Sequence, residues 1–480
     1  MFYKVFSFLK FVFFLGFFNI FYAQQSPNIL FILTDDLGYG DLGCYGATDV
    51  QTPHIDSLAQ KSVQFTRAYA NSTVCSPSRA AILTGNYPDM VGVPGVVRDM
   101  PDNTWGNLKD NIKTLPGELQ KLNYNTALIG KWHLGYKSPD LPNDRGFDYF
   151  KGFVGDMMDD YHTHLRNGIN WMRENQNEIH PKGHATDLFT DWTLEYLDKQ
   201  TKQKKPFFLF LTYNAPHDPI QPPNDWLDKV RKRAPNLSLK RQKLVALVEH
   251  LDHNIGRVIN QVENSKLNHN TIIIITSDNG GALQYGASNF PFSGGKGDFL
   301  EGGIRIPCVV KLPDSNEHKL VNKPLLLMDF FPTLIQYAGG NSSYNLPSKS
   351  ISFQFTNESQ TSPRTMIWVR REGHKFSGQD YYAISNGQYK LLQRNPFSEY
   401  ELFDLKFDYK ESQPIENVEM KNILKATYKA YPKIWINTLA IAYILLHFYF
   451  MNWFYTLLNG ISTFSSTSKS KFIKNIKSKS

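Results

Sequence analysis

The chain has 480 residues, 41% hydrophobic and 14% aromatic, with a formal net charge of +8. This composition excludes an intrinsically disordered chain and suits one large domain plus a smaller one. No Lys/Arg block forms a stripe suited to nucleic acid, so no such partner is expected. The mild basic excess reads as solvated lysines, many of them in the C-terminal tail.

Residues 1–23 read as an export signal. Lys4 and Lys10 precede the apolar run Phe11 to Ile20, and Ala23 offers a cleavage point, although Phe21 stands where a small residue is preferred. The run is short for a membrane span. Export places the chain in the periplasm, at the cell surface or outside the cell, in an oxidising compartment. Yet it has three cysteines, Cys44, Cys75 and Cys308, which is no disulfide scaffold. Cys44 and Cys308 are left as one bridge or two buried thiols.

Short apolar runs then end abruptly in polar residues. Asn28 to Leu33 leads to Asp35 and Asp36; Tyr124 to Ile129 leads to Lys131 and His133. Phe207 to Leu211 leads to Asn214 and His217; Ile272 to Ile275 leads to Asp278 and Asn279. Such continuous runs predict strands buried on both faces of a parallel sheet. Helical patterns lie between them at Ile55 to Ala68, Leu115 to Leu122, Thr186 to Leu197 and Leu244 to Val262. The alternation predicts an α/β fold, a large mostly parallel sheet flanked by helices, with its site at the carboxyl ends of the strands. From Ser348 the texture changes. Met366 to Val369, Tyr381 to Ile384 and Tyr389 to Leu392, with Asn386-Gly387 as a hairpin turn, predict a smaller antiparallel α+β subdomain over 348–432. Over 433–480, Ile434 to Leu458 carries no charge and precedes a Lys-rich tail. That pattern reads as a membrane anchor, a buried helix or a terminus altered by a reading-frame error.

An Asp pair at a strand end can simply cap a turn. Three Asp and one Asn delivered by two strand ends are more informative. Asp35, Asp36, Asp278 and Asn279 form an all-oxygen set suited to a hard cation, and no zinc spacing is present. Cys75-Ser76-Pro77-Ser78-Arg79 places a proline fit for the first turn of a helix. Cys75 is then expected just ahead of that N-terminus, where backbone N–H groups favour an anion and Arg79 adds charge. The residues alone equally allow a buried thiol beside a capped helix.

Cys75-Ser76-Pro77-Ser78-Arg79 followed by Leu83-Thr84-Gly85 resembles the signature of the type I sulfatases, in the alkaline phosphatase-like superfamily. Pro27 to Asp36, Gly130-Lys131-Trp132-His133-Leu134-Gly135, Ala215-Pro216-His217, Thr276 to Gly280 and Gly294-Gly295-Lys296-Gly297 resemble its other motifs in order. The resemblance runs from about Ser26 to Tyr431 and makes 24–347 the catalytic domain. It implies a sulfuric ester hydrolase in which a separate maturing enzyme oxidises Cys75 to formylglycine (3-oxoalanine). The aldehyde hydrate attacks sulfur, and sulfate leaves as the aldehyde reforms. Asp35, Asp36, Asp278 and Asn279, with the converted Cys75, would hold one calcium ion. Arg79 and Lys131 would stabilise the hydrate, and His133 would take the proton in the elimination. His217 and Lys296 would contact the sulfate, His217 as the best acid. Arg371 and His374 are candidates for contacting the sugar. The implied substrate is a sulfated carbohydrate: an algal polymer such as ulvan, carrageenan or fucoidan, or a glycosaminoglycan. A phosphatase or phosphodiesterase of the same superfamily, and a non-catalytic sulfated-glycan binder, are the competing readings.

Overall fold

The computed structural model describes residues 26–99, 106–341, 344–352, 355, 364–372, 382–395 and 397–431. The expected signal peptide over 1–23, His374 and the apolar run 434–458 lie outside them. Among the described residues no helix is long and apolar enough to cross a membrane. The chain divides into two compact units at Ile415/Glu416; in the second, residues 418–431 form a helix.

The first unit is built on a mixed sheet. Its principal strands are β1 (Asn28–Thr34), β2 (Val63–Tyr69), β3 (Asn125–Lys131), β4 (Tyr149–Phe153), β5 (Phe207–Thr212), β6 (Thr271–Ser277) and β7 (Arg305–Lys311). The central order is β2-β7-β6-β1-β5-β3-β4. From β6 to β4 neighbouring strands are parallel, while β7 is antiparallel to both β6 and β2. Alternation along each strand divides the core in two. Leu30, Ile32, Ile273 and Ile275 pack on the helices Ala185–Gln200 and Leu239–Glu263. Phe31, Leu33, Ile272 and Ile274 pack on Cys75–Thr84, Leu115–Lys121 and Phe330–Tyr337. Burial on both faces is why these strands read as unbroken apolar runs. A four-stranded antiparallel sheet follows: β8 (Met366–Val369), β9 (Tyr382–Ser385), β10 (Tyr389–Gln393) and β11 (Glu401–Asp404). Its β9–β10 turn places Gly387 at φ 98°, the left-handed conformation that glycine supplies at low cost.

The expected α/β architecture is therefore present. Two local expectations fail. The helix expected over Ile55 to Ala68 stops at Ala59, and Val63–Tyr69 is β2. The aromatic and β-branched run Val63, Phe65, Thr66 favours a pleated, packed strand once β7 is alongside. Cys75 lies not ahead of its helix but at its first residue, with Val74 at the N-cap. Among the described cysteines no disulfide forms: Cys44 is half-buried, Cys308 is buried, and both are free thiols.

Candidate active site

The carboxyl ends of β1, β3, β5 and β6 open onto one place. β1 delivers Asp35 and Asp36, β3 ends in Lys131 with His133 beyond it, β5 leads to His217, and β6 leads to Asp278 and Asn279. The parallel register sets Thr34 opposite Ser277 and Leu33 opposite Thr212, so the ends are level. The helix Cys75–Thr84 enters from the chain following β2 and brings Cys75 and Arg79. Lys296 arrives on the glycine-rich loop, whose N–H donates to the Gly281 carbonyl at 3.0 Å.

Apart from His133, these side chains form one connected cluster. Cys75 Sγ donates to Asp35 Oδ1 at 3.2 Å, and Lys131 Nζ donates to Asp35 Oδ2 at 2.5 Å. Arg79 clasps Asp278 Oδ2 through Nε at 3.0 Å and Nη2 at 2.8 Å, and its Nη1 donates to the Lys131 carbonyl at 2.9 Å. Asp36 accepts from Asn279 Nδ2 at 2.7 Å and from Lys296 Nζ at 2.8 Å. Lys296 Nζ also lies 2.8 Å from His217 Nε2. Asp35, Arg79, Lys131, Asp278 and Asn279 are no more than 1% exposed. Buried charges persist only when paired, and here each has an opposite partner.

The imidazole protons follow from the partners. His217 Nδ1 faces the Asp218 carbonyl at 2.7 Å, which can only accept, so Nδ1 carries the proton and Nε2 accepts from Lys296. His133 Nε2 faces the Val97 carbonyl at 3.0 Å, which likewise leaves Nδ1 unprotonated, buried and without a partner among the described residues. Burial, with Lys131 and Arg79 beside it, holds His133 well below the ordinary imidazole pKa. Burial, joined by the Asp35 charge, pushes the Cys75 thiol well up; Lys131 and Lys296 offset only part. Asp278 is raised by burial and by Asp35. Lys131, Arg79 and Asp35 hold their charged forms despite burial because each faces the other sign. Asp36 at φ 66° and His133 at φ 62° occupy the left-handed region, a strain of order 1 kcal/mol each that the packed strand ends sustain.

A divalent cation is compatible with this cluster. Asp35, Asp36, Cys75 and His217 offer ligand atoms within 4.8 Å of one another. Asn279 Oδ1 is a buried acceptor without a partner among the described residues. The three carboxylates are balanced by Arg79, Lys131 and Lys296, so a divalent ion would leave a net positive pocket suited to an anion. Arg371, in contrast, is exposed, and its backbone N–H donates to the Pro94 carbonyl at 3.0 Å. The residue before it, Arg370, is buried and reaches the Gly297 carbonyl at 3.5 Å, while Glu372 joins it at 3.1 Å to Arg98 at 3.2 Å. Tyr161 was also absent from the sequence reading. Its hydroxyl donates to the carbonyls of Asn214 at 3.1 Å and His217 at 2.8 Å, fixing the loop after β5. Neither carries a local signal, because both act across long sequence separations.

The sequence profile of the Sulfatase family matches residues 27–340, and that of the N-sulphoglucosamine sulphohydrolase C-terminal region matches 296–433. N-acetylgalactosamine-6-sulfatase of Canis lupus familiaris is 31% identical over 338 residues, 66% of this chain and 63% of that protein. Arylsulfatase J of Mus musculus is 34% identical over 330 residues, 66% of this chain and 53% of that protein. The chain thus spans less than two thirds of the length of these curated relatives. Ps i-CgsB, solved in complex with k-i-k-neocarrahexaose, superposes with a TM-score of 0.78 at 29% identity, covering 85% of this chain and 93% of that one. With the strand-end cluster assembled as the motif order implied, the chain belongs to the type I sulfatase family, of alkaline phosphatase-like fold.

Proposed function

We propose that this protein is an exported hydrolase of sulfate esters on a carbohydrate chain, acting through converted Cys75 beside a calcium ion. One observation carries the reading: Cys75 opens a helix in the middle of three carboxylates and three cations, two of them buried. A buried thiol held protonated is a poor nucleophile, whereas an oxygen nucleophile suits these donors. The sulfated sugars named for N-acetylgalactosamine-6-sulfatase and for the Ps i-CgsB complex support a carbohydrate substrate. The leader-like residues 1–23 support export.

Asp35, Asp36, Asp278 and Asn279 would hold calcium, which when bound polarises a sulfuryl oxygen and orients the nucleophile. Conversion of Cys75 by a maturing enzyme supplies the oxygen nucleophile that the thiol is not. Arg79, Lys131 and Lys296 stabilise the negative charge that spreads over the sulfuryl oxygens as sulfur–oxygen bonds change. His133, with a bare Nδ1, is built to accept a proton. Nε2 of His217 accepts from the Lys296 ammonium, which Asp36 holds firmly protonated, so His217 becomes the acid for the leaving alcohol oxygen once Nε2 takes up a proton. The net reaction takes one water and yields the alcohol and sulfate.

The deciding assay is release of free sulfate from a panel of sulfated oligosaccharides, beside matched aryl sulfate and aryl phosphate. Sulfate release is expected, with preference over phosphate; preference for phosphate would point to the phosphatase reading. Treatment with a calcium chelator is expected to lower turnover, with recovery on adding calcium and not on adding zinc. His133 gives a pH expectation. Its depressed pKa keeps the imidazole neutral, so the acid limb of kcat, which includes the elimination step, should lie below the ordinary imidazole value. An acid limb at or above that value would remove His133 as the base.

A further inference from the structure

A second cleft opens at the same end of the sheet, toward its β2 edge. Its volume is about 490 Å³, and its walls include Arg67, Phe292, Arg305, Gln388, Lys406 and Tyr409. None of these belongs to the catalytic cluster. β7 runs antiparallel to β6 with Cys308 opposite Thr276, so Arg305, at the start of β7, stands at the level where Asn279 leaves β6. β2 is three strands from β1, about 14 Å at the usual inter-strand spacing. A chain of a few sugars lying across the strand ends is long enough to reach both places.

The chemistry of the walls is specific. Arg67 is half-buried, with Nη2 donating to the Gly387 carbonyl, and it pairs with no carboxylate among the described residues. Lys406 is exposed and likewise has no carboxylate partner there; its Nζ lies 5.2 Å from the Phe407 ring centre. The Arg305 guanidinium is already paired with Glu301 at 3.1 Å, and it covers the Phe292 ring at 4.3 Å. Tyr409, 45% exposed, meets that ring edge-on at 6.4 Å. Cations lacking counter-charges attract an anion, aromatic walls suit the apolar face of a pyranose, and the Gln388 amide suits hydroxyls.

We propose that this cleft binds a second anionic stretch of the sulfated sugar chain whose ester is cleaved at Cys75, holding the polymer across the active-site face. The proposal rests on the sulfatase reading above. It makes the natural substrate longer than a single sugar and gives the small sheet, through Gln388 and Lys406, a part in binding it.

Native affinity electrophoresis in gels containing dextran sulfate tests this, with unsulfated dextran as the blank. Arg67→Ala with Lys406→Ala is expected to weaken retardation about tenfold, the scale of two lost solvent-screened ion pairs. kcat/KM on para-nitrophenyl sulfate should stay at the parental value. Tyr409→Ala, which changes no charge, should also weaken retardation. Lys199→Ala with Lys232→Ala removes equal charge from exposed helix positions and should leave it intact. Undiminished retardation of the Arg67/Lys406 variant overturns the proposal, as does an equal loss in the Lys199/Lys232 control. If no sulfate ester is hydrolysed yet retardation falls as described, the catalytic reading fails and the cleft assignment stands.

Discussion

Cys75→Ala is expected to lower sulfate ester turnover by at least about ten-thousandfold, the scale of losing a nucleophile. The side chain is only 3% exposed and its Sγ approaches Asp35 Oδ1 at 3.2 Å. Alanine, a good helix former, removes a single heavy atom at a helix start, so the melting temperature should move by no more than a few degrees. The sulfate contacts proposed for His217 and Lys296 remain, so binding of a sulfated oligosaccharide should survive. The parent should also show, in the peptide spanning Cys75, the mass change from thiol to aldehyde. Three outcomes separate the readings. Lost turnover with retained binding fits a converted nucleophile. Parental turnover in Cys75→Ala would sink the proposed chemistry. Turnover by a parent whose Cys75 remains a thiol would keep the hydrolase but remove formylglycine, an outcome that the burial-raised thiol pKa argues against.

The sequence disclosed the site more completely than its surroundings, and the reason is geometric. In a parallel sheet the strand ends collect in one place, so motifs that each close an apolar run must meet. Asp35, Asp36, Lys131, His133, His217, Asp278 and Asn279 all follow this rule, and Cys75 and Arg79 join them at helical spacing. What stayed hidden depends on packing against distant chain. The exchange of helix for strand at Val63–Tyr69 is decided by β7, which lies more than 200 residues later. The choice between Arg370 and Arg371 turns on a one-residue alternation at the end of β8, where a shift of one reverses inside and outside. The family resemblance points to Arg371, and Arg370 is the residue that turns toward Gly297. The proton positions of His133 and His217 are also invisible in sequence, because the carbonyls of Val97 and Asp218 assign them.

Lys390→Met is expected to destabilise the fold by about 3–5 kcal/mol near pH 8, the range for stranding buried charges by removing one partner. Lys390 is 0% exposed on β10 and lies 3.2 Å from Glu301 and 2.5 Å from Glu411. Glu301 also accepts from Tyr69 at 3.0 Å and Arg305 at 3.1 Å, while its backbone N–H donates to Glu411 at 2.5 Å. Burial raises the Glu411 carboxyl, with the Glu301 charge adding to it and Lys390 opposing. Against its own burial, Lys390 and Arg305 hold Glu301 below the ordinary carboxylate value. With methionine at 390 both carboxyls must rise. A raised folded-state pKa costs stability as pH climbs from the unfolded value through the folded one. The deficit should therefore be full near pH 8 and shrink toward about pH 5, where a proton can replace the lost ammonium. Thermal unfolding at the two pH values reads this directly, and a deficit that is small or independent of pH would show the cluster to be well solvated. The consequence reaches the active site. Glu301 opens the helix Glu301–Ile304, and the Gly302 N–H donates to the Ser293 carbonyl at 2.8 Å, three residues before Lys296. The buried ion cluster thus ties the small sheet to the loop that presents Lys296. In the folded fraction of Lys390→Met, activity should fall further near pH 8 than near pH 5, relative to the parent at each pH.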